Sequence, residues 1–170
     1  MPAVLFTCAG GQVSLPHLLL CDREDGGHLV VHPPRDIWER SLLPPAELAA
    51  WSLLVAATGR AMLETLPCLR DGCLNYWEAG NWALHPDAPP KGPKHPPTHR
   101  RVHHHVLGRS PDAKHAGWRW GEAPRFQPHD QAAAWSAQCA PLTGRECRAI
   151  AQVLERLWPA WARVLPEPAP

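Results

Sequence analysis

The chain has 170 residues, with 17 Lys+Arg against 16 Asp+Glu and a formal net charge of +1. That length suits one domain with a substantial core, and 45% apolar residues exclude wholesale disorder. A run of about eighteen apolar residues, the signature of a membrane-spanning helix, is missing. The N-terminal stretch MPAVLFTCAGGQVSLP lacks the basic and long apolar regions of a signal peptide. A cytoplasmic protein with reduced thiols is therefore expected.

Two counts are high: 21 Pro, where usage of roughly 5% is ordinary, and 11 His. The six cysteines, at 8, 21, 68, 73, 139 and 147, form no C-x-x-C pair and no zinc-finger spacing, so buried free thiols are expected. Charge is uneven along the chain. From Lys91 to Arg125, eight basic residues face only Asp112 and Glu122, a window of +6 in a chain otherwise at −5. This pattern suggests a local anion site, not a nucleic-acid face.

Residues 13–35 read as extended. His17–Cys21 and His28–His32 are β-prone apolar runs, and Asp22–Gly27 between them has turn chemistry, which predicts a hairpin. Pro33-Pro34 ends its second strand. From Pro45 to about Leu66 the spacing predicts a helix, with Leu48, Trp51, Leu54, Val55, Met62 and Leu66 on its buried face. Cys73–Trp77 reads as a strand entering Gly80-Asn81. Six prolines in residues 86–97 predict an extended loop without helix. Thr98–Gly108 resumes strand character. Thr143-Gly-Arg-Glu146 is a capping box, and Ile150, Val153, Leu154, Leu157 and Trp161 mark a second amphipathic helix, kinked near Pro159. Strands and helices in blocks favour an α+β domain with an antiparallel sheet.

The chemistry concentrates in His99-Arg-Arg-Val-His-His-His-Val-Leu-Gly-Arg109. Strand alternation would set His99, Arg101, His103 and His105 on one face and Val102, His104 and Val106 on the other. Such a face could bind a metal, hold a phosphate or lie in solvent. The stretch resembles the motif of the histidine triad (HIT) family, His-φ-His-φ-His-φ-φ, with Arg101 where the first histidine stands. Leu29–Pro33 with Arg35 resembles that family's strand and Pro-x-Arg turn. Asn75-Tyr-Trp-Glu-Ala-Gly-Asn81 is similar to a bacterial branch's Asn-x₄-Gly-Asn signature, and Trp118-Arg-Trp-Gly121 to a Trp-Gly ending. The ordered match spans about residues 18–121. Nineteen residues separate Asn81 from Arg101, so the Pro-rich segment, about 82–97, is an insertion relative to that pattern and belongs near the rim of the site.

The resemblance implies one HIT-like domain over residues 1–170 with about five antiparallel strands, a long central helix and a C-terminal helical extension near 143–165. It implies a nucleotide hydrolase or nucleotidyl transferase. His103 would attack the α-phosphorus to form a nucleotidyl-histidine, and His105 would donate to phosphate or leaving group. Arg101, Asn81, Asn75, Arg109 and His99 would be phosphate or substrate contacts. No metal or other cofactor is required. A nucleotide or dinucleotide ligand, no membrane or nucleic-acid partner, and a homodimer complete the expectation. Two other readings stand beside it. One is a catalytically silent nucleotide- or partner-binding protein of the same fold. The other is a metal-binding protein using His99, His103 and His105.

Overall fold

The computed structural model describes residues 3–165. Its centre is an open five-stranded antiparallel sheet of order β1-β2-β3-β5-β4. The strands are β1 (Val4–Cys8), β2 (Gly11–Ser14), β3 (His28–His32), β4 (Cys73–Ala79) and β5 (His103–Arg109). The helices are α1 (Pro45–Thr65), the short α2 (Pro96–His99) and α3 (Ala132–Ser136), and α4 (Gly144–Trp161). The class is α+β, as the blocks of elements predict.

The helix α1 forms where expected. Pro45 occupies its first turn, where a missing N–H costs nothing. Trp51, Leu54, Val55 and Met62 are buried along one face. They pack on Leu29, Val31 and Val106 of the sheet and on Ile150 and Leu154 of α4. The capping box forms in full. Glu146 N–H donates to the Thr143 hydroxyl at 3.2 Å, and Thr143 N–H donates to the Glu146 carboxylate at 2.6 Å. Pro159 lies inside α4 near its end.

Three expectations give way. The hairpin lies earlier, between β1 and β2 across Ala9-Gly10, because Leu19 and Leu20 donate their amides to side chains instead of a ladder. Their acceptors are Ser136 Oγ at 2.8 Å and His28 Nδ1 at 3.1 Å. The Pro-rich segment does hold helix. Asn81–Leu84 is a 3₁₀ turn, and Pro96-Pro97 sit at the first positions of α2, where proline is favoured. The histidine strand accordingly starts at His103, not Thr98, since residues 96–99 coil and Val102 N–H bonds Ile37 outside the ladder at 2.9 Å.

One close approach fixes how the Asp22–Gly27 turn meets β5. A Cβ on Gly108 would lie 2.0 Å from the Gly26 carbonyl oxygen, and Gly26 itself has φ +141°. Only glycine at both positions lets these backbones touch. Asp25, 5% exposed, then anchors the segment after β5 by accepting from the amides of Lys114 and His115 at 2.7 and 3.1 Å.

Candidate active site

Antiparallel register sorts the histidines. β3 pairs with β5 through His28↔Leu107, Val30↔His105 and Val31↔His104, and β4 pairs with β5 through Trp77↔His105 and Ala79↔His103. With side chains alternating, His28, Val30, His32, His103, His105 and Trp77 share the sheet face away from α1. His104 points the other way, its ring 4.8 Å from that of Trp51 and its Nε2 3.3 Å from Glu78. It is a structural histidine beneath α1.

The free face floors a cavity of about 680 Å³. Leu15, Leu18, Leu20, Trp77 and Trp82 are among its lining, and no Asp or Glu lines it among the described residues. Trp77 is stacked between His105, centroids 5.2 Å apart, and Phe126, 4.5 Å apart. The wall is mostly apolar, so the imidazoles at its base lie in a low-dielectric setting.

Three imidazoles form a chain whose polarity is set at both ends by the backbone. The Leu20 amide can only donate, so His28 Nδ1 accepts and its proton sits on Nε2. The Arg101 carbonyl can only accept, so His103 carries its proton on Nδ1, which donates at 2.9 Å. Between them, His28 Nε2–H donates to His105 Nδ1 at 2.8 Å, and His105 Nε2–H donates to His103 Nε2 at 3.2 Å. The lone pair of His103 Nε2 is thereby turned toward His105 at the cavity floor. Burial keeps the chain neutral. It pushes His28 down to about 3 and, with His28 beside it, His105 down to about 2. His103 is lowered as well, first by burial and then by the Arg100 charge, against the Arg101 carbonyl that favours its cation.

The structure brings together some of the predicted site residues and separates others. His103, His105, Arg101, Asn81 and His99 all line the cavity. His99 does so from the end of α2, not from the histidine strand. Its Nδ1 accepts from the His95 amide at 3.0 Å. The Arg101 guanidinium sits at the rim, bonded to the Arg100 carbonyl at 2.6 Å and 3.9 Å from Asp36. Asn81 Oδ1 accepts from Arg100 Nε at 3.2 Å.

Asn75 and Arg109 do not line the cavity. Asn75 stands opposite Leu107, two residues along β4 from Trp77, with its Oδ1 buried and unpartnered among the described residues. Arg109 is 4% exposed, lies over the Trp118 ring at 4.5 Å and donates to the carbonyls of Arg119 and Glu122. Its work is to tie the segment after β5 to the sheet. The +6 window is likewise dispersed. Arg100 pairs with Glu39, Arg119 and Arg125 pair with Glu122, and only Arg101 of that window's cations lines the cavity. Trp118 is core at 3% exposed, whereas Trp120 is 47% exposed.

Sequence reasoning missed His28 and His32, reading them only as strand ends. The signal was present: at i and i+4 of one strand they share a face. All six cysteines are free, but Cys73 is exposed and only Cys21 and Cys139 are buried. Among the described residues no three His, Cys, Asp or Glu side chains are arranged to hold a metal ion, and no helix is long and apolar enough to cross a membrane.

No protein-family profile matches this chain, and no curated protein is significantly similar to it.

Proposed function

We propose that the protein is a HIT-like nucleotide hydrolase or nucleotidyl transferase that works through a covalent intermediate on His103. The observation that carries this reading is the chain His28→His105→His103, which ends on the His103 Nε2 lone pair, held by His105 at the floor of a cavity that no carboxylate lines among the described residues. A neutral imidazole is a competent nucleophile near pH 7, and burial here keeps His103 neutral. Attack of its Nε2 on phosphorus leaves a cationic phosphohistidine, which departs readily in the second step. The His105 Nε2–H, released from His103 by the incoming phosphoryl group, supplies a donor to the developing charge.

The apolar walls suit a nucleoside, and the Arg101 guanidinium at the rim supplies a fixed cation for the phosphate. An arginine there cannot accept a proton, so its side chain takes no part in proton transfer. Its carbonyl matters more directly, since it sets the tautomer of the nucleophile. A homodimer and a cytoplasmic setting belong to the same reading, and light scattering on the purified chain tests the former. The direct test is turnover of dinucleoside polyphosphates, adenosine 5′-phosphoramidate and nucleotidyl-sugars by wild type and His103→Ala. Turnover by wild type alone supports the reading. Nucleotide binding without turnover favours a silent binding protein, and turnover that survives the substitution overturns the mechanism.

A further inference from the structure

The imidazole chain holds the nucleophile but is not a proton source. Each of its three histidines carries one ring proton, donated at rest to His105, to His103 and to the Arg101 carbonyl. The His105 proton, once freed by the phosphoryl group, can be shared in a hydrogen bond but not given away. The upstream end is the Leu20 amide, which does not ionise. Passing a proton outward from His105 would leave an imidazolate inside a buried site, and an uncompensated buried charge is strongly disfavoured. A leaving group that departs with a proton must draw it from elsewhere.

His32 is the imidazole placed to supply it. It lines the same cavity from the end of β3, one step beyond the Val31↔His104 pair, and its ring centroid lies 5.7 Å from that of His103. Unlike the other three, its ring has no hydrogen-bond partner among the described residues. The groups that bear on its charge are few. Burial first, and then the neighbouring His103, lower its pKa below the ordinary histidine value, and Asp36, itself 3.9 Å from Arg101, offsets this only in part. Near neutral pH the proton-giving cation is therefore the minor form, and it is lost as pH rises. His105, His17 and His99 are the other titratable groups around the cavity.

We propose that His32 is the proton-transfer residue of this site, giving a proton to the departing group and recovering one from water. The proposal rests on the nucleotidyl-transfer reading. In the first step the His103 Nε2 lone pair forms the N–P bond, the P–X bond breaks, and protonated His32 gives its ring proton to X, which leaves as HX. In the second step water oxygen bonds to phosphorus and the N–P bond returns its electrons to His103. Neutral His32 takes the water proton and is again a cation. The sum is hydrolysis of P–X to P–OH and HX.

The test compares leaving groups. Adenosine 5′-(4-nitrophenyl phosphate) loses a nitrophenolate that needs no proton, whereas adenosine 5′-phosphoramidate must have its amine protonated. His32→Gln and His32→Asn are each expected to slow the phosphoramidate about a hundredfold more than nitrophenolate release in a single turnover, the lower end for a general acid. They also remove the falling alkaline limb of the phosphoramidate pH profile. Equal slowing of both substrates by both variants, with the limb retained, overturns the assignment while leaving the nucleotidyl reading intact. A wild-type protein that turns over neither substrate sinks that reading, and the role of His32 with it.

Discussion

His28 Nε2 lies 2.8 Å from His105 Nδ1, and this contact decides which nitrogen of His105 faces the nucleophile. His28 is 1% exposed and its other nitrogen is held by the Leu20 amide, so its orientation is fixed from behind. Replacing it with glutamine or alanine lets His105 change tautomer and turn its acceptor toward His103. His28→Ala is expected to lower turnover by roughly a hundredfold, the cost of misplacing a group in a preorganised site. Steady-state kinetics check it, with the loss expected in kcat more than in KM. Ring-nitrogen NMR of His105 should show the tautomer change directly.

Stability should fall in mild acid. Burial holds His28 near 3 and His105 near 2, both below the unfolded value of about 6.5. As pH drops below about 6.5 the unfolded chain takes up protons that the folded one refuses. Each histidine then costs up to about 1.4 kcal/mol for every pH unit, an effect that levels off once its folded value is passed. Urea unfolding at pH 7.5, 6 and 5 measures this. His28→Gln should flatten the slope, and a pH-independent midpoint over that range would contradict buried neutral imidazoles.

The secondary structure that was legible in the sequence is the locally determined part. The α1 stripe of Trp51, Leu54, Val55 and Met62 and the Thr143–Glu146 box depend on neighbours within a turn, and both form as expected. Elements decided by distant partners were not legible. The apolar run at 17–21 is no strand because Leu19 bonds Ser136, 117 residues away. His103 and His105 were visible as an alternating pair on one strand. Their partners His28 and His32 were not, because the β3–β5 register that brings them alongside joins segments about seventy residues apart. Arg109 carries a charge that suggested phosphate contact, but burial over Trp118 gives it structural work.

Two substitutions separate fold from site. Thr143→Ala removes the acceptor for the Glu146 amide and should cost about 1 kcal/mol, seen as a lower Tm with kinetics unchanged. Gly108→Ala places a Cβ 2.0 Å from the Gly26 carbonyl oxygen, a backbone clash with no flexible side chain to yield. It should cost about 1–3 kcal/mol by overpacking. It should also lower turnover by shifting the β5 strand that carries His105. Calorimetry with parallel kinetics distinguishes the two outcomes.

The central claim is that His103 becomes covalently nucleotidylated. Acid-free rapid quenching of the wild-type protein with α-phosphorus-labelled adenosine 5′-phosphoramidate, followed by intact mass measurement and peptide mapping, tests it most directly. The account predicts a transient adduct of one adenylyl group, stable to base, labile to acid, mapped to His103 and absent from His103→Ala. Turnover without any protein-bound phosphorus, or an adduct that persists in His103→Ala, would contradict it.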